Sequence, residues 1–338
     1  MAYHIKTRIA LSVGALVLCV LSITSWLALV YFEKQFETQI FAHMSDLLES
    51  NVEEVAEEFE IAGRALENVA HQITPDILEN VMVADIFLAS QTTTHLIFDN
   101  GLYLFDLQGK MVALSPWQEE LIGQDFSDRG YFKQALQSRR LNISSPFQSR
   151  QSHQMPVLML SLPVYSSTGE VVAILGGSLN LLGDNFISDL ADETVNTLGN
   201  FLLMDDEGTV VAHHDREQIL QRAEVHLKRE FTPDDLVEIY YHSTRKEVGD
   251  VKVLRFSKND QVGVFAEIRP SGWTLALIGH KSLILGPINQ ARLYIAAVLL
   301  VLAILTVIVI RLMTSRLTEP LNVLGSKVRN LADYPQVF

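Results

Sequence analysis

The sequence is poor in cysteine, in basic residues and in catalytic motifs. Its 338 residues include one cysteine, Cys19, which excludes an internal disulfide framework and zinc sites built from cysteine pairs. Lys and Arg number 26 against 40 Asp and Glu, so the formal net charge is −14. The patterns GxSxG, HExxH and GxxxxGK[ST] do not occur, which removes the common signatures of hydrolases, zinc peptidases and P-loop NTPases.

Two long apolar runs are present, Ile9–Tyr31 and Leu293–Ile310. Each lacks charged residues and is long enough to cross a bilayer core of roughly 30 Å as a helix. A cleaved signal peptide is the alternative for the first run. It is disfavoured because a signal core has only about 7–15 apolar residues and no small-x-small cleavage site follows. Both runs are predicted to be transmembrane helices.

The charges that flank the two runs predict the topology. Basic residues stay on the cytoplasmic side of a span, and here they precede the first run and follow the second: Lys6, Arg8, Arg311, Arg316, Lys327 and Arg329. Both termini are therefore expected in the cytoplasm, and residues 32–290 outside the bacterial inner membrane, in the periplasm. All but two of the acidic residues lie in that exterior segment, which disfavours nucleic acid as a partner.

The exterior segment begins with a helical pattern over residues 32–71. Apolar residues recur there at steps of three and four: Phe36, Ile40, Met44, Leu48, Val52, Val55, Phe59, Ala62, Leu66 and Val69. This seam predicts a stalk that packs against a partner helix in a homodimer. The acidic run NVEEVAEEFE at 51–60 is either a cation site or a solvated helix face, and the solvated face is favoured. Thr74 and Pro75 predict the start of a second helix.

Strand patterns follow and repeat. Predicted strands at 96–105 and 111–115 come before a helix at 128–137 and three more strands near 144–148, 156–165 and 170–181. The stretch FLLMDDEGTVVAHHD at 201–215 repeats the strand–turn–strand pattern of LYLFDLQGKMVAL at 102–114. A helix near Thr232-Pro233 and strands at 250–257, 261–268 and 273–279 then predict a second, smaller sheet. The fold class is α+β, with two tandem modules of antiparallel sheet that enclose a hollow beside their helices.

Over residues 33–290 the chain resembles the double Cache (dCache) periplasmic sensor domains of bacterial transmembrane receptors. The similarity is carried by GLYLFDLQGKMVALS, IGQDFSDRGYFKQAL, PVLMLSLPVYSSTGEVVAILGGSLNL, FLLMDDEGTVVAHHD and SGWTLALIGHKSLI. It implies two PAS-like modules on a long N-terminal helix. The expected domains are residues 1–8 (cytoplasmic), 9–31 (first span), 32–93 (stalk and second helix), 94–183 (membrane-distal module), 184–290 (membrane-proximal module), 291–312 (second span) and 313–338 (connector).

The resemblance also implies a ligand site in the distal module. The arginine of the family's DRx[YW][FY] segment commonly faces the pocket, which indicates Arg129 with Tyr131 and Phe132. The same comparison adds four pocket candidates: Tyr103, Phe147, Ser149 and Ser178. An arginine fork also matches a carboxylate chemically. The alternative is that Arg129 pairs with Asp125 or Asp128 and only caps a helix.

Departures from the family pattern indicate the ligand. Amino-acid-binding members carry acids where this chain has Ser149 and Ser178, and a tyrosine where it has Phe147. A ligand ammonium group would lack carboxylate partners, and an unpaired buried charge is costly. The expected ligand is anionic or neutral and polar. No cofactor, catalytic residue or metal site is expected.

Two other clusters have simpler interpretations. The sequence His213-His214-Asp215 could supply metal ligands or part of a hydrolase triad, but a similar strand end in the family has no catalytic role. The Asp205–Gly208 stretch lacks the alternating acids of a calcium loop. It is interpreted as a hairpin turn.

The last segment, RLTEPLNVLGSKVRNLADYPQVF, resembles the first helix of a HAMP connector entered through Pro320. We therefore expect the chain to be a piece of a longer receptor whose missing output domain is a diguanylate cyclase, with a chemoreceptor domain or a histidine kinase as the alternatives. This segment is not expected to be an enzyme. The alternatives are a membrane-anchored periplasmic enzyme and a ligand-blind module for dimerisation or partner binding.

Overall fold

The structure is a computed structural model. It describes residues 2–195, 198–223, 236–241, 251–258, 261–269, 271–284 and 286–332. The chain divides into two compact units, residues 1–40 with 285–338 and residues 41–284. Helix α1, Ala2–His71, runs through the boundary at residue 40.

The first unit contains the two apolar helices that the sequence predicts. They are the beginning of α1 and helix α8, Gly286–Ala332. Among the described residues, segments Gly14–His71 and Gly286–Val309 are long and apolar enough to cross a membrane. In each segment, the most apolar stretch is not buried against other parts of the protein. Arg292 of α8 forms an ion pair with Glu33 of α1. Exposed apolar side chains on both helices are what contact with lipid requires.

The connector prediction needs a correction, because no new helix begins at Pro320. Helix α8 continues through that residue without interruption to Ala332. A proline inside a helix removes one backbone hydrogen bond. Here the residues on both sides, including Leu, Arg and Lys, are good helix formers that sustain the helix across the gap.

In the second unit, the predicted seam of α1 is buried from Met44 to Val69. It is covered by the chain itself. The Phe59 ring packs edge-on against Phe186 at 5.2 Å and Trp273 at 5.3 Å between centroids. The expectation that this seam packs against a partner helix is therefore wrong for the stretch after Met44, because the seam already contacts the same chain.

Three short helices follow the stalk: α2 (Pro75–Glu79), α3 (Val81–Ala89) and α4 (Thr92–Ile97). Helix α2 begins after Thr74 as predicted, although the Thr74 side chain makes no capping hydrogen bond. The predicted strand at 96–105 is wrong in its first half. Residues 96 and 97 end α4 and the strand begins only at Gly101, because Asp99 and Asn100 turn the chain first.

The distal sheet has six antiparallel strands in the order β2-β1-β6-β5-β3, with β4 also paired to β5. Their bounds are β1 Gly101–Phe105, β2 Met111–Ser115, β3 Asn142–Ile143, β4 Phe147–Gln148, β5 Pro156–Tyr165 and β6 Val171–Asn180. Short 3₁₀ turn Glu119–Leu121 and helix α5, Gly130–Ser138, lie between β2 and β3. The predicted third strand near 144–148 is split into two short pieces.

The proximal sheet has seven antiparallel strands in the order β10-β11-β12-β13-β8-β7, with β9 paired to β8. The elements are α6 Phe186–Asp192, β7 Thr194–Val195, β8 Gly199–Met204, β9 Val210–His213, the 3₁₀ turn Arg216–Gln218, β10 Leu236–Tyr241, β11 Val251–Lys258, β12 Gln261–Ile268, β13 Trp273–His280 and α7 Lys281–Ile284. The expectation of a smaller second sheet is wrong. Thr232 and Pro233, where the sequence predicts a helix, lie outside the described residues.

The two modules repeat the same turn between their first strand pairs. Asp106 accepts hydrogen bonds from the backbone N–H groups of Gln108 and Lys110. Asp205 does the same for Glu207 and Thr209. The α+β class and the tandem arrangement predicted from the sequence are confirmed, and the DDEG stretch forms a hairpin turn as expected.

Candidate functional site

A small cavity of about 30 Å³ lies in the distal module. Its lining comes from β1, β5 and β6 of the sheet, the start of α5 and the segment that begins at β4. Six of the seven predicted site residues line it: Tyr103, Arg129, Tyr131, Phe147, Ser149 and Ser178. The structure thus brings these residues together, and ligand binding there stays a prediction.

Phe132 is the predicted residue that does not line the cavity. Its side chain is 3% exposed and belongs to the core cluster beneath the sheet. Its ring meets Phe105 edge-on with 6.1 Å between centroids. Helical periodicity explains the difference, because Tyr131 and Phe132 are adjacent on α5 and project about 100° apart.

Arg129 precedes the first residue of α5 in extended conformation, with φ −73° and ψ 137°. Its carbonyl accepts the hydrogen bond from the Lys133 N–H, which begins the helix. Its Nε atom is buried and has no hydrogen-bond partner. A buried donor without an acceptor costs roughly 1–3 kcal/mol of stability. Arg129 therefore offers an unpaired hydrogen-bond donor at the cavity.

The guanidinium group of Arg129 is held by an aromatic stack. Its central carbon lies 5.4 Å from the centroid of the Phe147 ring. The Phe147 ring in turn stacks on the Tyr131 ring, with 5.4 Å between the centroids and 24° between the planes. The side chains of Arg129, Phe147 and Tyr131 therefore stack in that order. The stack connects the start of α5 to strand β4 beside the cavity.

The alternative pairing of Arg129 with nearby acids is not what the structure shows. Asp128 accepts from the Arg150 Nη2 atom at 2.8 Å, and the Asp125 carbonyl accepts from Nη1 at 2.9 Å. The Asp125 carboxylate accepts from the Ser127 N–H at 2.7 Å. Arg150, which the sequence reasoning missed, also lines the cavity and lies 5.1 Å over the Phe126 ring.

A hydrogen-bonded network surrounds the Tyr103 hydroxyl. The hydroxyl donates to the Asn100 carbonyl oxygen at 2.8 Å. It accepts from Gln151 Nε2 at 2.7 Å and from Asn100 Nδ2 at 3.1 Å. Asn100 Nδ2 also lies 3.0 Å from the Ser178 Oγ atom. Tyr103 and Ser178 are therefore fixed by their own chain.

Gln151 is the second residue that the sequence reasoning missed. Its side chain is 4% exposed, lines the cavity and has an Oε1 atom with no hydrogen-bond partner. Its backbone N–H donates to Ser149 Oγ at 3.1 Å, which shapes the turn after β4. The surrounding residues, SRQSHQM, show no periodic pattern of apolar side chains. The burial of Gln151 was therefore not predictable from the local sequence.

Burial raises the pKa of both cavity tyrosines above the ordinary value of 10.0. For Tyr103, burial is the main cause and the Tyr131 phenol adds to it, while the hydrogen bond from Gln151 opposes it. For Tyr131, burial outweighs the opposing charges of Arg129 and Arg150. Both phenols are therefore neutral at physiological pH, and the two arginines supply the charge at this site.

Close backbone approach under the sheet depends on Gly177 in β6. A Cβ atom added there would lie 2.7 Å from the buried Phe98 ring. Leu102 of β1 and Leu160 of β5 flank Gly177 in register. The missing side chain lets Phe98, just after α4, pack directly on the strand that carries Ser178.

Comparison with known families decides the identity of this architecture. The sequence profile of the Cache domain, in its double form, matches residues 32–288. The chain belongs to the double Cache family. Residues 32–288 are thus the ligand-sensing, extracytoplasmic input domain of a receptor. The match agrees within two residues with the range 33–290 expected from the sequence.

Solved ligand-binding domains of bacterial chemoreceptors share the fold. The ligand-binding domain of the Pseudomonas fluorescens chemoreceptor CtaA with L-isoleucine has a TM-score of 0.56 and 15% identity, covering 75% of this chain and 97% of that chain. The domain of the Pseudomonas aeruginosa PAO1 amino acid chemoreceptor PctC with GABA gives 0.51 and 19%, covering 70% and 99%. The domain of Campylobacter jejuni Tlp3 with L-valine gives 0.52 and 15%, covering 75% and 98%. None of the curated proteins matches the chain in sequence.

The second Cache module contains a larger cavity of about 530 Å³. His213, His214 and Asp215 line it. The two histidine rings lie 4.2 Å apart, and His213 Nδ1 accepts from the Asp215 N–H at 3.0 Å. Burial lowers the pKa of His213, so the ring is neutral near pH 7. Within the described residues no group of three or more His, Cys, Asp or Glu side chains could hold a metal ion.

Unpartnered buried atoms distinguish the two cavities. In the described part of the chain, five buried side-chain atoms have no hydrogen-bond partner: Gln118 Oε1, Arg129 Nε, Asn142 Nδ2, Gln151 Oε1 and Asp205 Oδ2. Two of the five residues line the distal cavity and none lines the proximal one. Because buried polar groups in folded proteins are normally paired, the distal cavity is the better candidate ligand site.

Proposed function

We propose that the distal Cache module senses a small carboxylate, or a small neutral polar molecule, in the cavity around Arg129. The observation that carries the proposal is the buried, unpartnered Nε of Arg129 at a cavity that Arg150 also lines. Among the described residues of the lining none is acidic. An arginine presents planar donors that fit a carboxylate bidentately.

Amino acids, which the domains of CtaA, PctC and Tlp3 hold in their solved complexes, fit this cavity less well. An ammonium group needs a carboxylate partner when it is buried. The family resemblance places Ser149 and Ser178 where amino-acid-binding members carry acids. Ser178 is 0% exposed, and its hydroxyl oxygen already accepts a hydrogen bond from Asn100. The ligand we favour therefore has an acceptor group and no cation.

The size of the cavity limits the ligand further. At about 30 Å³ it is far below the roughly 300–1,000 Å³ of pockets for drug-sized ligands. A ligand of only a few non-hydrogen atoms fits without large movement. We expect anything larger to require movement of the cavity wall, which includes Phe147, Ser149 and Gln151.

The wider receptor is part of the same proposal. Residues 9–31 and 291–312 cross the bacterial inner membrane, both termini are cytoplasmic, and residues 32–93, 94–183 and 184–290 are the stalk, distal and proximal segments. A homodimer carries the signal to a HAMP-like connector at 313–338 and to an output domain, with a diguanylate cyclase favoured over a chemoreceptor or histidine kinase. A ligand shifts such an assembly only through its different affinity for two states.

A thermal-shift screen of the whole chain in detergent tests the proposal. The panel contains formate, acetate, glycolate, lactate, neutral amides, amines and amino acids. A ligand at about one hundred times its Kd stabilises by about 2.7 kcal/mol, which raises Tm by several degrees. We expect one or more carboxylates to raise the Tm of the wild type and of Arg140→Ala, an exposed arginine outside the cavity.

The Arg129→Ala variant should lose that response while keeping a cooperative melt. If no member of the panel shifts the wild type, a ligand-blind module for dimerisation or partner binding becomes the better hypothesis. Stabilisation that survives Arg129→Ala would place the ligand elsewhere. Turnover of any panel compound would instead favour the membrane-anchored enzyme.

A further inference from the structure

The distal cavity contains an unpaired acceptor as well as an unpaired donor. Gln151 Oε1 and Arg129 Nε both lack hydrogen-bond partners, and both residues line the same cavity. The Gln151 side chain is 4% exposed, so bulk water does not reach it freely. A ligand that satisfies only the arginine leaves the glutamine oxygen unpaired, which retains one desolvation penalty.

The hydrogen bonds around Tyr103 fix which end of the Gln151 amide is unpaired. The Asn100 carbonyl oxygen can only accept, so the Tyr103 proton must be donated to it at 2.8 Å. The Tyr103 oxygen then has only lone pairs left for Gln151, 2.7 Å away. The amide must direct its N–H₂ group to Tyr103 and leave its carbonyl oxygen free.

We infer that the ligand of the distal site is a small 2-hydroxycarboxylate, held by its carboxylate at Arg129 and by its hydroxyl proton at Gln151 Oε1. This inference rests on the proposed function. Arg129 lines the cavity without an acidic partner and favours an anion over a neutral amide, whereas Arg150 already pairs with Asp128. The hydroxyl supplies the donor that the glutamine oxygen requires, and the small cavity restricts the acid to two or three carbons.

Matched ligand pairs test the inference in the whole chain. Glycolate and acetate differ by one hydroxyl, and so do L-lactate and propionate. A site built to hydrogen-bond a hydroxyl discriminates strongly against the analogue that lacks it. We expect isothermal titration of the detergent-solubilised wild type to show at least tenfold tighter binding of glycolate than acetate, with the same preference for L-lactate over propionate.

The Gln151→Met variant removes the acceptor at nearly constant side-chain length. Its glycolate-to-acetate affinity ratio should fall to within about threefold. Gln134→Met, an exposed glutamine on α5, is the control and should retain the wild-type ratio. Circular dichroism confirms that each variant is folded.

Three results separate the outcomes. Equal affinity of glycolate and acetate in the wild type overturns the hydroxyl inference but leaves the carboxylate sensor intact, and this comparison needs no variant. A preference that Gln151→Met retains also overturns it, because the hydroxyl is then recognised elsewhere. If no carboxylate binds, both the proposed function and this inference are overturned.

Discussion

The guanidinium carbon of Arg129 lies 5.4 Å from the centroid of Phe147, whose ring stacks at the same centroid distance on Tyr131. Arg129 starts α5 and Phe147 belongs to the two-residue strand β4. The contact therefore connects two elements that both lie beside the cavity and both pack against β5. A change in the stack alters where the arginine directs its donors.

Phe147→Leu should weaken carboxylate binding by about twofold to thirtyfold, because a cation–π contact contributes roughly 0.5–2 kcal/mol. Phe147→Tyr keeps the ring and should bind within threefold of the wild type. Isothermal titration with the best carboxylate of the screen measures both variants. Unchanged affinity in Phe147→Leu, together with lost binding in Arg129→Ala, would show that the stack does not orient the arginine.

Gly177→Ala should destabilise the second unit by about 1–3 kcal/mol, since the new methyl group would overlap the Phe98 ring. Gly130→Ala is the matched control. Gly130 is in helix α5, and no atom lies within 4 Å of an added Cβ, so this change should be neutral or stabilise by up to about 1 kcal/mol. Urea unfolding compares the two, and equal midpoints would contradict the close approach of Phe98.

Stability should fall at alkaline pH through the buried tyrosines. The pKa of Tyr103 in the folded protein is raised above 10.0 by burial, so its contribution is complete below about pH 10. It is lost as the pH rises further, because the unfolded chain ionises first. Between pH 9 and 11, Tm should fall more steeply for the wild type than for Tyr103→Phe. Parallel curves for the two proteins would show that Tyr103 ionises as freely as an exposed tyrosine.

Much of the fold follows from local signals in the sequence. The turns at Asp106 and Asp205 use a short acceptor side chain followed by glycine at positive φ, 84° at Gly109 and 85° at Gly208. Such turns depend on nearby residues only, so the strand pairs around them were predictable. The seam of α1 was predictable as a buried face for the same reason. Its partner was not, because periodicity does not reveal that Trp273 covers Phe59.

The same distinction between local and long-range signals applies to the residues of the site. Arg129 and Tyr131 were found through the short DRx[YW][FY] motif, and Phe147 through its position in the family pattern. Gln151 was missed because its position depends on Tyr103, 48 residues earlier in the chain. Arg150 was missed because its partners Asp125 and Asp128 precede it by more than twenty residues. Tertiary contacts of this kind leave no periodic trace in a single sequence.

Helix α8 is one long continuous helix that we expect to bend most easily at a single residue, Pro320. From Gly286 to Pro320 every turn is continuous, a length of roughly 50 Å at 1.5 Å per residue. Pro320 offers no N–H to the carbonyl four residues earlier, so bending is easiest there. We therefore expect a rotation or shift of α8 near Gly286 to be transmitted along the helix and to change direction at Pro320, according to what contacts the helix there.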